Sequence, residues 1–153
     1  MMRRLKLCLF VMIVAAAALR ADTTRPAGDW DSVTVPPMKT SIYVGSVTLT
    51  TSVFRREGEI YRATYEAKVW PWFFWSEKGS IAINLPGADL TRLLRGERVE
   101  FTGAAENQKK KPRHVTGRVE RVDAANGKIK VRVGADDVTL VFNGPYRFTN
   151  VVK

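Results

Sequence analysis

With 153 residues, 45% of them hydrophobic and 26% charged, the chain is long enough for one cored domain and too apolar to stay disordered. A single cysteine and a single histidine leave no basis for a disulfide framework or a zinc site. The formal charge of +10 favours anionic partners over cationic ones.

Residues 1–21 read as a secretory signal peptide. Arg3, Arg4 and Lys6 form a positive head, Leu7 to Leu19 an apolar core, and Leu19-Arg20-Ala21 a cleavage site with a small residue next to the cut. The apolar run is short of the roughly 20 residues that a membrane-spanning helix needs. Cleavage would remove Cys8, the only thiol. It would also remove four basic residues (Arg3, Arg4, Lys6, Arg20) and no acidic one, so 21 basic residues would stand against 15 acidic, a charge of +6. The mature protein is therefore expected in the periplasm or outside the cell.

Residues 22–38 lack periodicity and carry Pro36-Pro37, which predicts an extended arm with Trp30 pinning it to the domain. Residues 39–153 then form one domain. Ser41 to Val53 predicts a first strand, with Tyr43, Val47, Leu49 and Val53 on one face. After a turn at Gly58, Tyr61, Ala63, Tyr65, Ala67 and Val69 alternate with Arg62, Thr64, Glu66 and Lys68, the pattern of a half-buried antiparallel strand. Ser80 to Leu85 is a third strand. Gly87 to Arg95 is the one helical segment, with Leu90, Leu93 and Leu94 on one face, Asp89 expected to cap its start, and Gly96 to close it.

Val99 and Phe101 mark a fourth strand, and Ala104 to Pro112 reads as an exposed loop. Val115, Gly117 and Val119 mark the fifth strand. A turn over Ala124-Ala125-Asn126-Gly127, with its Asn-Gly signal, leads to the sixth, with Ile129, Val131 and Val133 in phase. Val138, Leu140 and Phe142 follow an Asp136-Asp137 turn. Asn143-Gly144-Pro145 reads as a break before a final strand from Tyr146 to Val152. The sum is an all-β fold: a small antiparallel barrel, or a sandwich, of about eight strands with one short helix.

Two clusters stand out. Trp70-Pro71-Trp72-Phe73-Phe74-Trp75 holds three of the four tryptophans, and there the alternation gives way to apolar residues on both faces. A strand in a one-sided sheet hides only one face, so Trp70, Trp72, Phe73, Phe74 and Trp75 are candidates for contact with a ligand, a membrane or a partner chain. The second cluster is cationic. Lys128, Lys130 and Arg132 alternate with the apolar residues of their strand. With Lys109, Lys110, Lys111, Arg113 and Arg118 they predict one basic face for an anionic partner.

Catalytic and metal-binding residues are not expected. His114 is predicted to face outward with no orienting partner, and the carboxylate pairs Glu57/Glu59 and Asp136/Asp137 sit at turns. No cofactor is implied.

The sequence thus predicts an exported, non-catalytic domain that binds an apolar or anionic envelope component. The partner would be an anionic lipid or glycan, or a small apolar ligand, met through the aromatic tip and the basic face. Nucleic acid is not expected, because no aromatics interleave with the lysines and the chain is exported. Two alternatives are a structural subunit that homo-oligomerises through the aromatic tip, and a hydrolase using carboxylates in a barrel mouth.

Overall fold

The computed structural model describes residues 30–149. The predicted signal segment, Cys8, the first part of the predicted arm and the end of the predicted last strand lie outside the described residues.

Ten strands and one helix form a closed antiparallel barrel. The strands are β1 (Ser32–Thr34), β2 (Met38–Ile42), β3 (Gly45–Thr51), β4 (Phe54–Glu57), β5 (Ile60–Trp70), β6 (Glu77–Asn84), β7 (Val99–Asn107), β8 (Pro112–Arg121), β9 (Asn126–Ala135) and β10 (Val138–Phe148). Helix α1 (Gly87–Leu94) links β6 to β7. Each strand from β5 to β10 pairs with the next in sequence. β1 then pairs with both β10 and β4, and β4 with β5, which closes an eight-strand circuit. β2 and β3 extend that wall, with β3 paired to the later half of β5.

Closure depends on residues that read as an arm. Val33 pairs with Phe148 on one side and Phe54 on the other. Trp30 does anchor this segment: its ring meets Phe148 edge-on at 4.7 Å, and the Tyr61 hydroxyl donates to its carbonyl at 2.6 Å. β10 runs unbroken through Asn143-Gly144-Pro145, where a break was expected. Eight passes around the barrel is therefore the observed number, but β1 is gained and the two predicted final strands are one.

Alternation sets the core. Tyr61, Ala63, Tyr65 and Val69 of β5 are buried, as are Ile129 and Val131 of β9. The first predicted strand departs from its expected phase. Tyr43 is fully exposed in the β2–β3 turn. Between β3 and β4 the chain slips one residue at Ser52-Val53, so Val53 faces water and Phe54 enters the core, as at a β-bulge. The expected loop at Ala104 to Pro112 is largely strand, since β7 reaches Asn107 with Ala105 inside. Beside β10, β2 has no backbone pairing. Met38 packs over Gly144 instead, where an added Cβ would come within 2.8 Å of the Met38 side chain.

The two ends of the barrel are closed differently. At one end lie α1, Trp30 and the β8–β9 turn. Leu90 and Leu93 of α1 are almost fully buried. Leu93, Phe101, Val119, Tyr146 and Phe148 help line an apolar cavity of about 50 Å³ inside the barrel. Asp89 does not cap the helix; it lies in the first turn and pairs with Arg92 at 3.2 Å. The opposite end carries the β2–β3, β5–β6, β7–β8 and β9–β10 connections, and there the predicted aromatic cluster meets part of the predicted cationic one, the Lys109–Lys111 turn.

Candidate functional site

The β5–β6 connection begins with a cis Trp70–Pro71 peptide and makes a single 3₁₀ turn over Phe73–Trp75. Three of its amides bond within the loop. The Phe73 amide donates to the Pro71 carbonyl at 3.1 Å, Trp75 to Trp72 at 3.0 Å, and Ser76 to Phe73 at 3.0 Å. The Ser76 hydroxyl accepts from the Val69 amide at 3.0 Å and closes the base of the loop.

With the backbone held this way the rings project outward. Trp70 is 60% exposed, Trp72 39%, Phe73 65%, Phe74 74% and Trp75 57%. Trp72, Phe74 and Trp75 pack on one another at centroid distances of 5.3 to 5.9 Å. Phe73 makes no aromatic contact among the described residues and stands alone. The loop has a neighbour that the sequence did not single out. Ser46 pairs with Trp70, which brings the exposed Tyr43 and Val44 of the β2–β3 turn to the same rim. Gly45, directly after them, marked that turn in the sequence.

Beneath the rings the barrel is filled by a polar network. Glu77, the first residue of β6, accepts from the Tyr65 hydroxyl at 2.9 Å, the Asn107 amide at 3.1 Å and the Arg113 guanidinium at 3.0 Å. Arg113 also reaches Asp136 at 3.4 Å. Burial alone would raise the Glu77 pKa, but the hydrogen bonds from Arg113, Asn107 and Tyr65 outweigh it and hold the carboxyl below its ordinary value. Burial, followed by the hydrogen bond to Glu77, pushes the Tyr65 phenol up. Arg113 was expected on the outer basic face. Its side chain is only 8% exposed, because inward parity on β8 delivers it to Glu77.

Asn107 ties this plug to the lysine turn. Its side-chain oxygen accepts from the Lys109 and Lys111 amides, each at 3.0 Å. Gln108 bonds the β6 backbone at Lys78 in both directions, at 2.8 and 2.9 Å. Lys109, Lys110 and Lys111 therefore sit at the aromatic end. Lys110 pairs with Glu106 at 3.2 Å and Lys111 with Asp136. Lys78 and Lys109 form no ion pair among the described residues.

The other predicted cations lie elsewhere. Arg118, Lys128, Lys130 and Arg132 are on the outer wall of β8 and β9. The expected single basic face is thus three places: a rim, an interior plug and a wall. The physical reason is that Lys109, Lys110 and Lys111 belong to a turn at one end, while β8 and β9 carry the remaining cations down the barrel side.

His114 is exposed, as its parity predicts. Among the described residues no cluster of three or more metal-ligating side chains occurs, and no helix is long and apolar enough to cross a membrane. Comparison with family models, curated proteins and solved structures gives no match, so the site is interpreted from its own residues.

Proposed function

We propose that this protein is an exported, non-catalytic barrel that docks on the anionic surface of an envelope membrane, with the aromatic end facing the lipid. One observation carries the reading: five large rings stand exposed on a self-braced loop, joined at the rim by Tyr43 and Val44 and flanked by Lys78 and the Lys109–Lys111 turn. Tryptophan with lysine is the pairing suited to the headgroup region, where rings immerse and ammonium groups stay in water. Three lysines (Lys109, Lys110 and Lys111) and two aspartates, Asp136 and Asp137, occupy these loops, with Lys78 beside them in β6, so the rim is aromatic first and cationic second.

The polar plug favours surface docking over a ligand mouth, since Tyr65, Glu77, Asn107 and Arg113 take the space beneath the rings. The same plug speaks against a hydrolase. A general acid needs its pKa raised by an apolar wall, and Glu77 is held the other way.

Co-sedimentation with vesicles tests the proposal. Phosphatidylcholine vesicles containing phosphatidylglycerol should bind the protein at low salt, and binding should weaken but persist at high salt. Absence of binding at low salt overturns the reading. Self-association is the second reading, because five rings at these exposures leave roughly 600 Å² of apolar surface, at the upper end of patches on monomers. A concentration-dependent rise in mass by light scattering, lost with the exposed rings, would favour it.

A further inference from the structure

On the barrel side, away from the docking rim, β8, β9 and β10 form an open groove of about 640 Å³. Two of its charges cancel, since Arg98 pairs with Glu120 at 2.6 Å. Three form no ion pair among the described residues: Arg118, Lys128 and Lys130, although the register sets Glu100 across from Arg118 and Glu120 across from Lys128. The strand register sets Arg118 directly opposite Lys130. Like charges in that position oppose each other, and both residues are partly buried. Across β10, Asn143 stands opposite Lys130 and Pro145 opposite Lys128. The groove thus has a cationic floor, an amide and an apolar ring along one side.

We infer that this groove is a binding site for an anionic saccharide, a sugar carrying a phosphate or a carboxylate. The Arg118 guanidinium offers two parallel donors to an oxyanion, and Lys130 and Lys128 supply charge beside it. The Asn143 amide suits sugar hydroxyls, and the Pro145 ring gives an apolar face for the pyranose. An anion between Arg118 and Lys130 turns a repulsive pair into two attractive ones. The site goes beyond the membrane-docking reading and does not depend on it. Seven residues of strand separate Lys111 from Arg118, roughly 20 Å. That exceeds the Debye length of about 8 Å at physiological salt, so the rim charges do not complete this groove.

The test is amide chemical-shift titration of the purified protein at low salt with glucosamine 6-phosphate, a galacturonate oligomer, inorganic phosphate, an oligothymidylate and neutral maltotriose. The expected result is saturable shifts at residues 116–120, 128–132 and 143–145 with one or both anionic sugars, and none with maltotriose. Binding by the phosphosugar alone or the uronate alone identifies the anion. The double variant Arg118→Gln/Lys130→Gln should weaken binding at least tenfold without lowering the melting temperature, because it also removes the like-charge pair. Replacing Lys109, Lys110 and Lys111 with Gln should leave sugar binding unchanged while reducing vesicle binding, which separates this site from the rim. No shifts with either anionic sugar overturn the inference. So does equal affinity for inorganic phosphate, which would show no contact with the sugar, or tighter binding of an oligothymidylate.

Discussion

Phe73→Ala is the most direct probe of the docking rim, because this ring is 65% exposed and touches none of the other aromatics. Trp72→Ala would be less clean, since Trp72 packs on both Phe74 and Trp75. At 65% exposure a Phe side chain shows roughly 130 Å² to water. Removing all of that area from water would gain about 3 kcal/mol at about 25 cal/mol per Å². Half-immersion in the headgroup layer retains about half of this, so the variant should lose about 1.5 kcal/mol, or roughly tenfold, in vesicle partitioning. Fold stability should not change, because the ring contributes little buried area in the free protein. The assay is partition measured by tryptophan fluorescence against lipid concentration, with a thermal melt in parallel. A Phe73→Ala protein that melts normally and partitions like the parent would refute the proposed orientation.

Glu77→Gln should destabilise the protein by about 3 kcal/mol, the lower end for breaking a buried ion pair, because Asp136 still reaches Arg113. The parent should lose stability as pH falls below about 4.5, the ordinary value from which Glu77 is depressed. Tyr65, whose pKa is raised, contributes stability that is complete below about 10 and lost as pH climbs beyond it. Denaturant melts across pH should show both limbs in the parent and a shallower acid limb in the variant; identical acid limbs would contradict the assignment.

Tyr146→Phe should stabilise by about 1 kcal/mol, because the buried hydroxyl has no partner among the described residues. Its phenol pKa, pushed to about 12 by burial, is consistent with that environment. A lower melting temperature would show that the hydroxyl is satisfied. Gly127→Ala should cost about 1–3 kcal/mol by overpacking, since a Cβ there collides with both the Glu120 backbone carbonyl and the Tyr146 ring. An unchanged melt would mean that both the ring and the strand carrying Glu120 have room to move.

Local periodicity carried most of the strand assignments. Tyr61 to Val69 and Lys128 to Val133 alternate, and the barrel buries the sides their alternation indicates. The aromatic tip was legible for the same reason, because apolar residues on both parities cannot all face one core. The errors came where one residue shifts the phase or where pairing is remote. The slip at Ser52-Val53 exchanges Val53 for Phe54. The turn expected over Ala124 to Gly127 forms two residues earlier, over 122–125, where the Asp123 carboxylate accepts from the Ala125 and Asn126 amides at 2.9 Å.

By itself, then, the sequence determined most of the strand segments, which side of most of them is apolar, and that the rings from Trp70 to Trp75 exceed what their own strand can bury. Tertiary structure decided the rest. It placed Val33 between Phe148 and Phe54 to close the wall, and turned Arg113 inward onto Glu77. It set the lysine turn beside the aromatic loop and left Arg118 facing Lys130 on the flank. Alternation is a property of neighbours along the chain, whereas closure, register and the meeting of turns at one end depend on hydrogen bonds between residues far apart in sequence.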